Sequence, residues 1–238
     1  MLKNFVNRIV ELAAPTTYEI DGRTYSSESL RRIDPPKYKP EPIDVTGLDS
    51  ICKLVQNEAK AVGRKIFIRI AAYNKVSVFS TYDDQYERAY MYRCNADTPS
   101  VTVDRFMGYE NAVIELRSLY IPNDGSDYLL KLLSSITSES KVTSSDNGVT
   151  QTVEAKSGVA LMQKVDIKPR VSLRPFRTFI EVDQPESEFL LRVSGDGKIG
   201  LYEADGGVWK LEATRNVAAY FEKELKDLIK SGDVVVIR

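Results

Sequence analysis

The sequence predicts an α+β fold: mixed helices and short strands, followed by an antiparallel β-meander covered by a C-terminal amphipathic helix. Three observations predict it. Before residue 137, apolar residues recur at three- and four-residue spacing in several separate stretches. From Val149 the pattern alternates apolar with polar, in runs at about 149–155, 159–166, 170–181, 188–194, 198–204 and 207–212. Helical spacing then returns over about 214–230, ahead of a last strand at Val234–Ile237. Four segments follow: a helix-hairpin over 1–30, a proline-rich arm over 31–45, an α+β region over 46–148, and the meander with its helix and last strand over 149–238.

In chain order, Phe5, Ile9 and Leu12 predict a first helix over 3–13, which Pro15 stops. Tyr18–Tyr25 reads as a hairpin turning at Asp21-Gly22, a pair suited to the positive φ angles of a tight turn. The arm carries four prolines between residues 31 and 44 and has little capacity for internal hydrogen bonds. Thr46 is placed to cap a helix over 47–62 that Gly63 ends. Strand-like runs follow at Ile66–Ala71, Val76–Phe79 and Tyr86–Cys94. Helices are expected over 109–119 and, with Ser126 as its cap, over 126–137. The polar stretch 137–148 reads as a loop or hairpin tip, and Gly195-Asp196-Gly197 and Asp205-Gly206-Gly207 as turns of the meander. Thr214 is placed to cap the last helix, and Trp209, alternating with Leu211, is expected beneath it.

Composition narrows the chemistry. The chain has 238 residues, a net charge of −1 and no histidine. Without imidazole there is no Ser–His–Asp or Cys–His hydrolase, no His-ligated zinc or haem, and no histidine phosphotransfer. No apolar run approaches the roughly 18 residues of a membrane span, and the first sixteen residues lack the pattern of a signal peptide. Cys52 and Cys94 are isolated and read as buried free thiols of a reducing compartment.

Three constellations could carry function. Lys168, Arg170, Arg174, Phe176, Arg177 and Phe179 form a basic-aromatic cluster. In one reading Arg170, Arg174, Phe176 and Arg177 bind single-stranded nucleic acid through phosphate contacts and base stacking. In the other, the arginines pair across the meander with Glu181, Asp183, Glu186 and Glu188. The neutral overall charge favours the second. Tyr86, Arg88, Tyr90 and Tyr92, placed on one face by alternation, read equally as a subunit interface or as an ordinary half-buried sheet, each ahead of nucleic-acid stacking. Asp146, Glu154 and Lys156 imitate the acid and E-x-K arrangement of a Mg²⁺-dependent phosphodiesterase, a motif short enough to arise by chance. No metal, cofactor or catalytic residue is assigned.

The stretch Ser172–Ala213 carries a resemblance. Its elements are Leu173–Phe179 (LRPFRTF), Glu181–Pro185 (EVDQP) and Leu201–Leu211 (LYEADGGVWKL), with a weaker match at Thr46-Gly47-Leu48 and through Leu132. It resembles the uncharacterised family of phage and prophage proteins typified by the enterobacterial YfdQ protein. The resemblance covers about two-thirds of the chain and implies a phage-encoded protein in a bacterial host cytoplasm. It implies no mechanism and supplies no site residues.

The expectation is a non-enzymatic protein that self-assembles into a homo-oligomer, its N-terminal unit crossing to a neighbour. Alternatives are a nucleic-acid-binding accessory in phage replication or recombination, and sequestration of a small nucleotide signal of host defence.

Overall fold

Helix α1 (Leu2–Ala13) and the antiparallel hairpin of β1 (Thr17–Ile20) and β2 (Arg23–Ser26) build the first of two compact units, Met1–Lys39; the second is Pro40–Arg238. The computed structural model describes residues 2–13, 16–20, 23–26, 41–83, 86–135, 141–146, 151–157 and 160–238. Asp21-Gly22, and the arm as far as residue 40, lie outside the described residues. The arm's end is not linker: Ile43–Val45 forms strand β3 and joins a sheet of the second unit.

That sheet is mixed and five-stranded. It contains β4 (Ile66–Ala72), β5 (Lys75–Ser80), β6 (Tyr90–Asn95) and β15 (Val234–Ile237), in the order β15-β4-β5-β6-β3. The outer strands β15 and β3 pair parallel with β4 and β6. Helices α2 (Leu48–Val62) and α5 (Trp209–Glu224) cover one face. Alternation decides which side chains they cover: Ile66, Ile68, Ile70, Val76, Val78, Tyr92 and Cys94 are buried with Leu48, Ile51, Val55, Val217 and Phe221. Each such apolar side chain contributes about 1.5–3 kcal/mol on burial.

The second sheet has the order β7-β14-β13-β12-β8, from β7 (Phe106–Met107), β8 (Tyr120–Ile121), β12 (Arg170–Pro175), β13 (Ser187–Val193) and β14 (Ile199–Glu203). Val171, Leu173, Phe189, Leu191 and Leu201 form its core with Ala112 and Leu116 of α3 (Tyr109–Ser118) and Leu129 and Leu133 of α4 (Asp124–Ser135). A third sheet, order β11-β10-β9, comprises β9 (Lys141–Asp146), β10 (Gln151–Ser157) and β11 (Ala160–Ile167). The class is α+β, with antiparallel sheets and a C-terminal helix.

Several boundaries differ from expectation, each for a local reason. Residues 141–146 are strand, because backbone pairing with β10 outweighs their polar composition. Strand β12 stops at Pro175, and 176–186 is a loop. Trp209 opens α5 and is not in a strand. Asp205 holds that turn, its Oδ1 accepting from the Gly207 N–H at 3.0 Å and its Oδ2 from the Trp209 N–H at 3.3 Å. Thr214 is therefore inside the helix, and a break at Leu225 separates off α6 (Lys226–Ser231).

Two further caps move. The α4 cap is Asn123, whose Oδ1 accepts from the Ser126 N–H while Ser126 Oγ accepts from the Asn123 N–H, both at 2.9 Å. At α2 the cap position is Gly47, and a distant side chain does the capping: Glu181 Oε1 accepts from the Leu48 N–H at 2.7 Å. Gly63, at φ +60°, closes α2 as expected.

The 46–148 and 149–238 segments are not separate bodies. β15 completes the sheet begun by β4 and α5 covers it, while β7 and β8 edge the sheet of β12–β14.

Candidate functional site

The loop after Pro175 decides the fate of the basic-aromatic cluster. Gln184, almost fully buried, fastens it with both ends of its amide. Its Oε1 accepts from the Arg177 and Thr178 N–H groups at 2.9 and 3.1 Å, and its Nε2 donates to the Phe179 and Val182 carbonyls at 2.9 and 3.2 Å. The clasp sends Phe179 and Val182 into the first core. Arg177 turns inward beside the second sheet and is only 9% exposed. Its Nη1 donates to Glu203 Oε1 at 2.9 Å and its Nη2 to Ser187 Oγ at 2.6 Å. The guanidinium lies 3.8 Å from the Trp209 ring centroid. Burial pushes the Arg177 pKa down, against the charges of Glu203 and Asp205, which raise it. Arg177 Nε, Trp209 Nε1 and Tyr120 Oη are buried without a hydrogen-bond partner among the described residues.

Arg170, Arg174, Phe176 and Arg177 therefore do not form the expected surface. Arg170 pairs with Glu188 at 2.9 Å, both half in solvent. Arg174 Nε donates to the Gln184 carbonyl at 3.1 Å. Phe176 is half-buried, its N–H held by the Leu119 carbonyl. Arg177 is buried, with its guanidinium occupied by Glu203 and Ser187. Across the meander the arginines are taken up by Glu188, Glu203 and a backbone carbonyl; Glu181 is spent on α2.

The tyrosine set is also divided. The β5–β6 register shifts between Val78 and Phe79, so Val78 faces Tyr92 while Phe79 faces Tyr90. The bulge puts the two tyrosines on opposite faces. Tyr92 is buried, and its hydroxyl donates to Glu58 Oε2 at 2.5 Å. Burial first, then that bond to Glu58, pushes its pKa up. Tyr86 precedes the strand, at φ +60° and 84% exposed.

Tyr90 joins a different group, on the face of the first sheet that α2 and α5 do not cover. Phe67 and Phe79 stack at 5.7 Å, and Phe79 meets Tyr90 at 5.4 Å. Arg88 spans this floor, its guanidinium carbon 5.4, 5.0 and 3.9 Å from the Phe67, Phe79 and Tyr82 ring centroids. Arg88 Nη1 also donates to the Ser80 carbonyl at 3.3 Å. Beside the aromatic row, Arg69, Ser77 and Arg93 lie opposite one another across three strands, with Lys75 opposite Asn95. Arg69, Lys75 and Arg93 are exposed. The alternation of Ile66–Ala72 (IFIRIAA) carried the sequence signal for Phe67 and Arg69, and the bulge concealed the rest.

Asp146 ends strand β9 and is not in a loop tip. By register it lies opposite Gln151, whereas Glu154 lies opposite Thr143 and Lys156 opposite Lys141. Among the described residues no group of three or more Cys, Asp and Glu is placed to hold a metal ion. No described helix is long and apolar enough to cross a membrane.

Cys52 and Cys94 are free and buried in the first core. Burial, and then the nearby carboxylates, push both thiols up to about 12. The folded state thus favours the neutral thiol. Its contribution to stability is full below the ordinary value of 9.0 and is lost as pH rises towards about 12. A disulfide reagent at pH 8 is expected to titrate neither thiol in the folded protein and both after unfolding in guanidinium. Prompt reaction of the folded protein would show that the core opens locally at α2 or β6.

No family model, curated protein or solved structure matches the chain.

Proposed function

We propose that the chain is a non-enzymatic, phage- or prophage-encoded protein of the bacterial host cytoplasm that works as a homo-oligomer. The observation that carries self-assembly is the exposed apolar stripe of α1. Leu2, Phe5, Val6 and Ile9 are 79, 64, 50 and 50% exposed. An amphipathic helix is stable mainly through burial of such a stripe. A second copy supplies matching apolar surface, which makes exchange of the N-terminal unit a low-cost route to assembly. Phage origin is supported by the likeness of Ser172–Ala213 to the YfdQ-type proteins.

Light scattering on the full chain at micromolar concentration tests the assembly. The expected result is a mass of two or more protomers, falling to one protomer in Phe5→Glu/Ile9→Glu. A wild-type mass of one protomer overturns the proposal, as does an oligomer that the double substitution leaves intact. A second reading, nucleic-acid binding, loses Arg177 as a contact residue and is favoured at a different place, the face of the first sheet turned away from α2 and α5.

A further inference from the structure

We propose that the face of the β15-β4-β5-β6-β3 sheet turned away from α2 and α5 is a binding site for single-stranded nucleic acid, with bases stacking beside Tyr90 and phosphates on Arg69, Lys75 and Arg93. The site goes beyond self-assembly through α1 and does not depend on it.

The charges provide the first argument. Some basic side chains of the second unit meet carboxylates, Arg170 with Glu188, Arg177 with Glu203 and Lys53 with Asp49, while others, Arg64 and Lys65 among them, stand exposed without one among the described residues. Arg69, Lys75 and Arg93 are exposed and have no carboxylate within ion-pair distance among the described residues. Arg69 and Arg93 are separated by one strand, which places their backbones about 10 Å apart, with the small Ser77 between them. The row thus has a cation on either side of a small central residue. Asp44, opposite Arg93 on the edge strand β3, is the acid that register brings to this row.

The aromatic row provides the second argument. Tyr90 is 51% exposed, and its ring is propped by the buried Phe79, itself stacked on Phe67. A ring held from behind and open in front loses little freedom when a base covers it. Arg88, fixed over Tyr82 at 3.9 Å, extends the platform with a planar cation. Aromatic faces beside unpaired cations on an open sheet provide the two contacts that single strands use, stacking and phosphate neutralisation. A rigid duplex offers its phosphates to the cations but keeps its base faces stacked within, so it gains only half of the site.

The same face is a poor contact between two copies of the chain. A two-fold contact sets a patch against itself, and here that brings the three cations Arg69, Lys75 and Arg93 together twice over, with Asp44 as the acid in the row.

Fluorescence anisotropy with labelled dT20 and rU20, and with a 20-base-pair duplex, tests the site in about 50 mM salt, where the phosphate term is strong. The expected result is binding of both single strands and weaker binding of the duplex. The slope of log K on log salt is expected near −2, about −0.7 for each of three phosphates. Arg69→Ala and Arg93→Ala should each flatten the slope by about 0.7. Tyr90→Ala should weaken binding about tenfold and leave the slope unchanged, since stacking releases no counterions. Arg170→Ala, on the second sheet, is the control and should change neither quantity. All four side chains are exposed, and thermal melts of the variants confirm their folding. No binding at this salt overturns the proposal, as does equal affinity for the duplex. Retention of full affinity by Arg69→Ala/Lys75→Ala/Arg93→Ala overturns it equally.

Discussion

Gly125→Ala is expected to destabilise the protein by about 3 kcal/mol, the upper range for overpacking a closed contact. Helix propensity alone gives the opposite sign, since alanine is favoured over glycine by about 1 kcal/mol in a helix interior. The difference lies in the approach of α4 to β12. A Cβ on Gly125 would stand 2.0 Å from the Ser172 carbonyl oxygen and 3.1 Å from its carbon. That carbonyl cannot swing aside cheaply. It accepts from Asn123 Nδ2 at 3.0 Å, and Ser172 is paired with Glu188 on β13. Helix α4 must move as a body and open the contacts of Leu129 and Leu133 with the sheet. Urea denaturation reads the effect as a lower midpoint with an unchanged slope. A stabilised variant would mean that α4 sits farther from β12 than the structure places it.

Glu203→Leu is expected to cost a similar amount, about 3 kcal/mol, because it leaves a buried guanidinium without its hydrogen-bonded counter-charge. Arg177 would keep Ser187 Oγ and the Trp209 face, neither of them charged, and would have Asp205 as a nearby carboxylate. Adding Arg177→Met to Glu203→Leu is expected to recover most of the loss, since replacing both members of a buried pair by apolar groups is often neutral. The cycle of single and double variants, measured by denaturant melts, isolates the interaction. Recovery is the diagnostic result. If the double variant is as unstable as the sum of the singles, Arg177 acts through packing on Trp209 and Phe189 and not through its ion pair.

Much of the architecture was written in local periodicity. The α2 stripe of Leu48, Ile51, Val55 and Ala59 and the alternation in Ile66–Ala72 and Ser187–Val193 depend only on which face of an element is buried. The errors arose where a short pattern was ambiguous or where the deciding partner was distant. Trp209-Lys210-Leu211-Glu212 alternates like a strand, but Trp209 also stands four residues before Ala213 and eight before Val217, one buried helix face. Ile43–Val45 becomes a strand only because Tyr92–Cys94 is beside it. The candidate sites were less legible than the fold. Arg177 is internal because of Gln184, and Tyr90 parts from Tyr92 because of one bulge in a partner strand. Neither effect leaves a mark in the residues it moves.

The parallel pairing of β15 with β4 has a consequence for how the protein comes into being. Ile66 is matched with Val234, so one edge of the first sheet is completed by a segment made long after its partner. At about 5–20 residues per second on the ribosome, β4 waits on the order of ten seconds with that edge unpaired. Helix α5, half of the cover over Ile66 and Ile68, arrives only slightly earlier. Through that interval the nascent chain presents both an open strand edge and an apolar sheet face, the combination that recruits chaperones or other nascent copies. The order in which this topology is synthesised therefore makes translation the period in which the protein is most exposed to aggregation.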